Sequence, residues 1–431
     1  MARVITPQDA HQIMNALVQQ ATGIANVTST DLDSFISAGE LVLSTGMENV
    51  FNALSIVLNR TLVAARPYNA KLKLIQSMDT GAWSNRVRKI SFYSQYALPS
   101  GFFNTDLYTN LAPGFTAGEN LDGNGDPQST KSQWEQHPPM PFEMNFAGSS
   151  VWDDCITLYE EQIEAAFRSP EEFARFVSGY LTIHGNDIAQ QKEAFSRMAL
   201  LNKIAATYHY DSIGATSGGV INLTKAFNDR FGTAYTSAQL RSTYLKDFLA
   251  FFVATFKNVS RYMTDNTVFR HLPFAKTVGG VDYAILRHTP YSRQRVFLYA
   301  PLFTEAEAMV LPEIFRPNYL DLGKQYEEIT YWQGMSDPSA INVTPAVLDL
   351  STGEQTKPEA AIELPYVVGV IMDEDALMTN FQLERALTSG LESRKGYRNT
   401  WLHIARNILD DPSEQCVIFT MEDPSDNDGG E

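Results

Sequence analysis

The 431-residue chain is predicted to be an α+β protein, with its long helices before residue 263 and most of its strands later in the sequence. Over long stretches, apolar residues recur every three or four positions, which is typical of amphipathic helices. Residues 366–372 and 416–419 are continuous apolar runs, which are typical of buried strands. Polar and apolar residues alternate with period two in parts of 69–92, as they do in exposed strands.

The N-terminal region is predicted to contain two helices. Thr6 and Pro7 can cap and start the first, which carries one apolar face and ends near Gly23. A capping-box pattern at Thr45 predicts the start of the second helix, which stops before Pro67.

A long two-stranded arm is predicted next. Residues 71–74 and 86–88 alternate as strands do, and a turn signal at 79–81 lies between them, so we expect these two segments to pair. Residues 111–141 are rich in Gly, Asn and Pro and poor in aliphatic residues, which predicts an extended loop. Looser alternation over 142–159 then predicts one or two further strands.

The strongest helix start in the chain is at Ser169. Ser169 can serve as the N-cap, Pro170 suits the first position, and two glutamates follow where the helix dipole is positive. Helical spacing continues to about Tyr208, which corresponds to a rod of roughly 55–60 Å, although residues 184–187 could kink or restart it. Another helix is predicted over 237–263.

The composition is that of a folded protein whose surfaces carry little charge. Hydrophobic residues make up 44% and charged residues 19% of the chain, and surfaces that meet other copies tend to lose charge at their centres. The net charge of −17 argues against a nucleic-acid-gripping module, which needs clustered Lys and Arg, but suits the wall of a DNA container. We expect no secretory signal and no membrane span, since the most apolar window, 248–256, is too short.

Motifs for nucleotide binding and for a nucleophile elbow are absent from the sequence. Residues 122–133 resemble the start of a calcium loop, but Pro127 replaces the required Gly and Gln133 the required Glu. A solvated turn is the better interpretation of that segment.

Three weaker candidates for chemistry remain. His184 and Asp187 could form an acid/base pair, and 373–375 follow an apolar strand where metal ligands often lie. We interpret the first as a kink or surface pair and the second as a charged turn. Cys155 and Cys416 are predicted to be two buried small hydrophobic residues. The sequence thus predicts no catalytic residue, no metal ligand and no cofactor.

Charge is segregated along the chain. Residues 60–89 contain seven basic residues and one acid, whereas 153–172 contain seven acids and one base. These segments are either two solvated faces or complementary surfaces on neighbouring subunits, where opposite charge steers docking. The residues predicted for such a subunit interface are Lys71, Lys73, Arg86, Arg88, Lys89, Asp153, Asp154, Glu160, Glu161 and Glu164.

Two segments carry a resemblance to a known family. TLYEEQIEAAF (157–167), running into EFARFVS (172–178), is similar to the strand-to-helix junction in the capsid proteins of small podophages. GYRNTWLH (396–403) resembles an aromatic-rich strand near their C-terminus. The order of predicted elements along nearly the whole chain resembles the major capsid protein fold of tailed phages, the Hong Kong 97 type.

The resemblance implies an α+β fold with the parts named in that family. The expected units are an N-terminal arm with helices (1–66), an E-loop (67–145), a P domain with the spine helix (146–266), an A domain with returning P-domain strands (267–421) and an acidic tail (422–431).

The resemblance also implies a function. The chain is expected to be a major capsid protein that self-assembles into hexamers and pentamers of an icosahedral shell, enclosing double-stranded DNA without sequence-specific binding. A scaffolding protein and a portal are the expected partners, with assembly in the host cytoplasm and a final place in the virion. Two alternatives stay open: the shell of an encapsulin-like nanocompartment, and an enzyme of unknown class.

Overall fold

The computed structural model describes residues 7–23, 29–45, 72, 74–79, 86–94, 139–147, 150–278, 281–302, 304, 326–358, 360–390, 392 and 394–422. Within these ranges the helices are α1 (Pro7–Thr22), α2 (Leu32–Ser44), α3 (Glu160–Ala166), α4 (Pro170–Ser212), α5 (Leu223–Phe231), α6 (Ser237–Arg241) and α7 (Leu245–Tyr262).

The strands that precede residue 300 are β1 (Gln76–Asp79), β2 (Arg86–Phe92), β3 (Pro141–Ala147), β4 (Ser150–Tyr159), β5 (Val220–Asn222), β6 (Lys276–Val278), β7 (Val281–Tyr283) and β8 (Gln294–Tyr299). Those that follow are β9 (Tyr326–Ile329), β10 (Ile341–Val343), β11 (Val347–Leu348), β12 (Gln355–Thr356), β13 (Ile362–Leu364), β14 (Val367–Asp373), β15 (Leu377–Thr388), β16 (Tyr397–Asp410) and β17 (Cys416–Thr420). The predicted α+β class is confirmed.

The first helices form a small core with the start of α4. The first predicted helix is confirmed as α1, which ends at Gly23 in the left-handed conformation. Helix α2 was not predicted, although Asp31 caps it through a capping box with Ser34. Thr45, where the next helix was predicted to begin, caps the carboxyl end of α2, and residues 46–71 lie outside the described ranges.

Helix α4 is long enough to contribute to two separate hydrophobic cores. Its predicted cap is confirmed, because the Ser169 side chain accepts a hydrogen bond of 3.2 Å from the Glu172 backbone N–H. The helix runs for 43 residues without interruption through 184–187, or about 64 Å at about 1.5 Å per residue. Its first turns pack into the N-terminal core through Phe173 and Val177, and its second half packs into the main core.

The main core surrounds a five-stranded sheet with the order β5-β17-β14-β8-β9. Both strands predicted from apolar runs are confirmed here, as β14 and β17, and every residue of the two strands is buried. Helix α7 packs against this sheet through Phe252 and Phe256, whose rings contact that of Phe419. The single helix predicted over 237–263 is instead two helices, α6 and α7, separated by residues 242–244.

A four-stranded sheet with the order β1-β15-β16-β4 contacts α4 through β15 and β16. Strand β16 confirms the prediction for the aromatic-rich segment 396–403, and β4 of this sheet together with β3 confirms the strands predicted over 142–159. The predicted pairing of 86–88 with 71–74 is wrong, because 86–88 pair with β3 and the described residues Leu72 and Leu74 lie outside the strands. Residues 71 and 73 lie outside the described ranges, and β1, which begins at Gln76, runs parallel to β15. Alternation reveals that a segment is a strand, but not which edge it joins.

None of the described helices has the length and apolar character that crossing a membrane requires.

Candidate assembly surfaces

Strands β2 and β3 form a two-stranded arm with two unlike faces. Successive side chains of a strand point to opposite faces, and in β2 the exposed residues are Arg86, Arg88, Ile90 and Phe92. We call the face that carries these four side chains the outer face of the arm. The residues between them lie on the inner face, which contacts the rest of the subunit.

The inner face is anchored by an ion cluster. The Lys89 ammonium donates to the carboxylates of Asp411 and Glu414, the latter at 2.6 Å. Arg287 lies beside them, with its Nε 3.0 Å from the Glu414 carboxylate and its Nη2 donating to the Ser91 hydroxyl at 2.7 Å. One cluster therefore holds both Lys89 and Ser91, which are successive residues on the inner face of β2.

The electrostatics of this cluster follow from burial and opposite charge. Burial opposes charge on Lys89, but Asp411 and Glu414 outweigh it and raise the Lys89 pKa. Burial would likewise raise the Asp411 pKa, yet the Lys89 charge and hydrogen bond hold it below its usual value. For Glu414 burial prevails, and its pKa is raised.

The segment that carries Asp411 and Glu414 is also tied to α4. Lys203 is fully buried on α4 and donates to the Asp410 carboxylate at 3.0 Å and to the Asp411 backbone carbonyl at 2.7 Å. Residues 410–414 therefore join the arm to the long helix through buried charges.

The outer face of the arm carries net positive charge. Arg86 and Arg88 lie 3.5 and 3.2 Å from the same Glu143 carboxylate, and Arg86 also donates to the Asn145 side chain at 2.7 Å. Both guanidinium side chains remain 58% exposed. Two cations share one anion on an exposed surface, so these three side chains together carry one net positive charge.

The acidic side chains of segment 153–172 do not all lie on one face. Asp153 and Asp154 are successive residues of β4, so they point to opposite faces, and Asp153 is the exposed one. The Asp153 carboxylate lies 3.1 Å from Nδ1 of His403 on β16. Glu161 and Glu164 are exposed on α3.

Of the ten predicted interface residues, Lys71, Lys73 and the side chain of Glu160 lie outside the described part of the chain. The structure sets Lys89 apart from the others, because its charge is matched within its own subunit. That role had no signal in the sequence, since Asp411 and Glu414 are more than 300 residues away.

An exposed apolar row crosses the outer face of the four-stranded sheet. Cys155 on β4 is paired with Trp401 on β16, which is paired with Leu387 on β15, and all three are exposed. Val151 and Tyr159, also exposed, lie on the same face of β4, four residues to either side of Cys155. We call these five residues the sheet row. This row was not predicted, because only the acids distinguish segment 153–172 in the sequence.

The weaker candidates for chemistry have structural explanations. Asp373 and Glu374 lie 3.2 and 3.1 Å from the Arg293 guanidinium, which also pairs with Asp375. This is the charged turn that we predicted, held by an arginine. Among the described residues, no group of His, Cys, Asp and Glu side chains is arranged to hold a metal ion.

The cysteine prediction holds for one residue of two. Cys416 is buried, whereas Cys155 is exposed, so the prediction for Cys155 is wrong. Cys155 belongs to the half of β4 that faces away from the core, a property that its type does not reveal. The side chain of His184 lies outside what the structure describes.

Comparison with known proteins gives one family match. The family model of the Phi29-like phage major capsid protein matches residues 155–420. No curated protein matches the chain in sequence.

Solved structures of phage capsids resemble the chain loosely. The capsid structure of Staphylococcus phage Andhra has 10% identity and a TM-score of 0.47, covering 83% of this chain and 86% of that one. The mature capsid of bacteriophage PhiM1 has 9% identity and a TM-score of 0.40, with coverages of 82% and 87%. The capsid of Myoviridae phage XM1 has 8% identity and a TM-score of 0.35, with coverages of 80% and 90%.

Proposed function

Because the chain belongs to the family of Phi29-like phage major capsid proteins, we propose that its copies form the hexamers and pentamers of an icosahedral shell around double-stranded DNA. The observation that carries the proposal is the family match, which covers more than half of the 431 residues. As a major capsid protein the chain has a structural role in the virion, where many copies of it build the capsid. The nanocompartment alternative is not favoured, because the matched family is a phage capsid family.

The finer features of the proposal rest on the residues. Helix α4 is assigned as the spine helix of a Hong Kong 97-type subunit, and β2 and β3 as the base of its E-loop. A net charge of −17 suits a wall that repels packaged DNA rather than binding its sequence. Assembly in the host cytoplasm with a scaffolding protein and a portal completes the proposal, which assigns the chain no catalysis.

Opposite charges on neighbouring subunits are proposed to steer assembly. The basic partners are Arg86 and Arg88 on the outer face of the arm, together with Lys71 and Lys73. The acidic partners are Asp153, Asp154, Glu160, Glu161 and Glu164 on the neighbouring subunit. Lys89 is given a different role, as the anchor that fixes the arm to its own subunit. Complementary charge of this kind speeds encounter and fixes register more than it adds affinity.

Electron microscopy of the purified chain tests the proposal. We expect closed particles or ring-shaped capsomers at high protein concentration, and sedimentation velocity should show the same large species in solution. The co-expressed scaffolding protein of a related phage serves as a second condition, because some shells need a scaffold. Compact monomers alone, at high concentration and in both conditions, would contradict the shell function.

A further inference from the structure

Helices α5, α6 and α7 carry an excess of positive charge next to the point where the acidic tail (422–431) leaves the main sheet. We propose that the tail folds back onto these helices in its own subunit and so closes a basic surface to other polyanions, DNA in particular. The docking is argued from contacts within one subunit, whereas its role toward DNA rests on the proposed shell function.

The three helices are basic in an acidic chain. Residues 223–262 contain six Lys and Arg but only two Asp, whereas the whole chain has a net charge of −17. Lys225, Arg230 and Lys246 are exposed, and Arg241 is half-buried. We call these four side chains the helix bases. Because α7 contacts both α5 and α6, the helix bases belong to one surface, to which carboxylates or phosphates can bind.

The topology of the main sheet delivers the tail to this surface. Strand β17 pairs in parallel with β5, and Thr420 lies opposite Asn222. Neighbouring strands are about 4.8 Å apart, and Asn222 is the N-cap of α5. The chain therefore leaves the sheet where α5 begins, and Lys225 lies in the first turn of that helix.

The first acid of the tail is bound to the surface. The Glu422 carboxylate accepts a hydrogen bond from the Ser237 hydroxyl and lies 3.8 Å from the Arg241 guanidinium. That guanidinium is stacked over the Tyr366 ring, 4.3 Å from its centroid. The Tyr366 carbonyl in turn accepts a hydrogen bond of 2.9 Å from the Met421 backbone N–H. Tyr366 thus positions both the base and the chain that carries the acid.

The rest of the tail matches the surface in charge and in reach. Residues 423–431 lie outside the described ranges and contain four further acids, which are Asp423, Asp426, Asp428 and Glu431. They contain no basic and no large apolar side chain, so charge is what they offer to a partner surface. Nine residues span at most about 30 Å when extended. The tail can therefore reach beyond Arg241 to the bases of α5 and α7.

The tail of the same subunit is the occupant that the tether favours. A segment joined to its site competes at an effective concentration of about millimolar, which a separate molecule in dilute solution does not match. Because Glu422 is fixed beside Arg241, the residues that follow start on the surface. A phosphate backbone would compete for the same bases, since phosphate and carboxylate both accept hydrogen bonds from Lys and Arg. The docked tail therefore keeps the subunit from binding DNA through these helices.

Zero-length cross-linking tests the docking. A carbodiimide joins a carboxylate to a lysine amine only where the two are in contact, and mass spectrometry of the monomer band on a denaturing gel identifies links within one chain. We expect links from 423–431 to Lys225 and Lys246 that are at least fivefold more abundant than links to Lys395. Lys395 is the matched control, because it is also exposed but lies between β15 and β16 of the other sheet. The links should fall at least fivefold in about 1 M salt, where the Debye length is about 3 Å.

DNA binding by free subunits tests the role of the docked tail. Replacing the four acids of 423–431 with Asn or Gln should tighten binding to a short duplex of mixed sequence at least tenfold at low salt, measured by fluorescence anisotropy. Adding Lys225→Gln and Lys246→Gln should remove the gain. Adding Lys357→Gln and Lys395→Gln instead removes equal charge from exposed lysines elsewhere, and it should leave the gain in place.

The outcomes are separate from those of the shell function. Links confined to the dimer band would assign the surface to a neighbour's tail, and links no more abundant than those to Lys395 would overturn the docking altogether. Unchanged DNA binding by the neutral tail, or a gain that survives the loss of Lys225 and Lys246, would overturn its role as a shield. Each result is obtained whether or not the chain forms particles, so electron microscopy alone decides the shell function.

Discussion

At the scale of single residues, Arg88 and Lys89 are neighbours in sequence with opposite roles. Arg88 is on the outer face of the arm and 58% exposed, whereas Lys89 is 27% exposed and contacts two carboxylates. The sequence predicted one role for both, because a run of basic residues carries no information about which side of a strand is buried. Their partners, at 143 and at 411–414, are set by tertiary structure.

We predict that Lys89→Met destabilises the subunit by on the order of 3 kcal/mol, since it removes the ammonium that pairs with the buried Asp411 and leaves Glu414 with Arg287 alone. Arg88→Met is the matched control, and it should change stability by less than about 0.5 kcal/mol because its ion pair is exposed. Urea unfolding followed by circular dichroism measures both. Equal losses in the two variants would refute the anchoring role of Lys89.

The pKa shifts of Asp411, Lys89 and Glu414 define how the stability difference between wild type and Lys89→Met depends on pH. The Asp411 pKa lies below 3.8 in the folded state, so its contribution is present above about pH 3.8 and is lost as the pH falls through the folded value. The Lys89 pKa lies above 10.5, so its contribution is lost only as the pH rises through that higher value. The stability difference between wild type and Lys89→Met should therefore be constant near neutral pH. It should narrow on acidification, beginning as Glu414, whose pKa is raised, takes up a proton.

At the scale of elements, strong local signals in the sequence predicted helices and strands correctly, whereas the pairing of strands was not predicted correctly. The cap at Ser169 and the apolar runs of β14 and β17 are short-range patterns that burial then reinforces. Helix α2 was not predicted, because the helix that follows its capping residue Asp31 has only a short apolar face. The partner of β1 could not be predicted, since β15 lies some 300 residues away and parallel pairing leaves no turn signal.

Two glycines on different elements give opposite predictions when changed to alanine. A Cβ at Gly369 in β14 would lie 2.8 Å from the Leu298 side chain and 2.9 Å from the Phe297 carbonyl oxygen. Because the second contact is backbone, Gly369→Ala should destabilise the subunit by about 1–3 kcal/mol. A Cβ at Gly179, within α4, meets nothing within 4 Å. Gly179→Ala should therefore stabilise the subunit by about 0.5–1 kcal/mol.

Thermal unfolding measures both glycine variants. A lowered melting temperature for Gly179→Ala would show that α4 requires the glycine for another reason. An unchanged one for Gly369→Ala would show that β8 and β14 can separate without loss.

At the scale of the whole molecule, the candidate interface was partly predictable. The segregation of charge between 60–89 and 153–172 is visible in the sequence. The exposure of Ile90 and Trp401 is not visible in the sequence, because an isolated apolar residue in a strand is normally buried. Only the register of β16 against β4 and β15 brings the sheet row together.

Charge reversal on the arm tests the steering of assembly. Arg86→Glu/Arg88→Glu should slow assembly at least tenfold at low salt, with a weaker effect as salt screens both charges. The folded subunit should keep its melting temperature within a few degrees, because both side chains are exposed. Light scattering follows the assembly. Normal assembly by this double variant at low salt would rule out the docking of Arg86 and Arg88 on an acidic neighbour.

The position of β17 has a consequence for the timing of synthesis. This strand comes from the end of the described chain, yet in its sheet it lies between β5 and β14. The N-terminal core needs only residues up to about 177, so it can form during translation. The larger core lacks an interior strand until residues 416–420 have been synthesised. A prematurely released chain therefore has no finished sheet and no 410–414 loop to hold its arm. Synthesis of residues 410–420 thus becomes the step that completes both the sheet and the anchor of the arm.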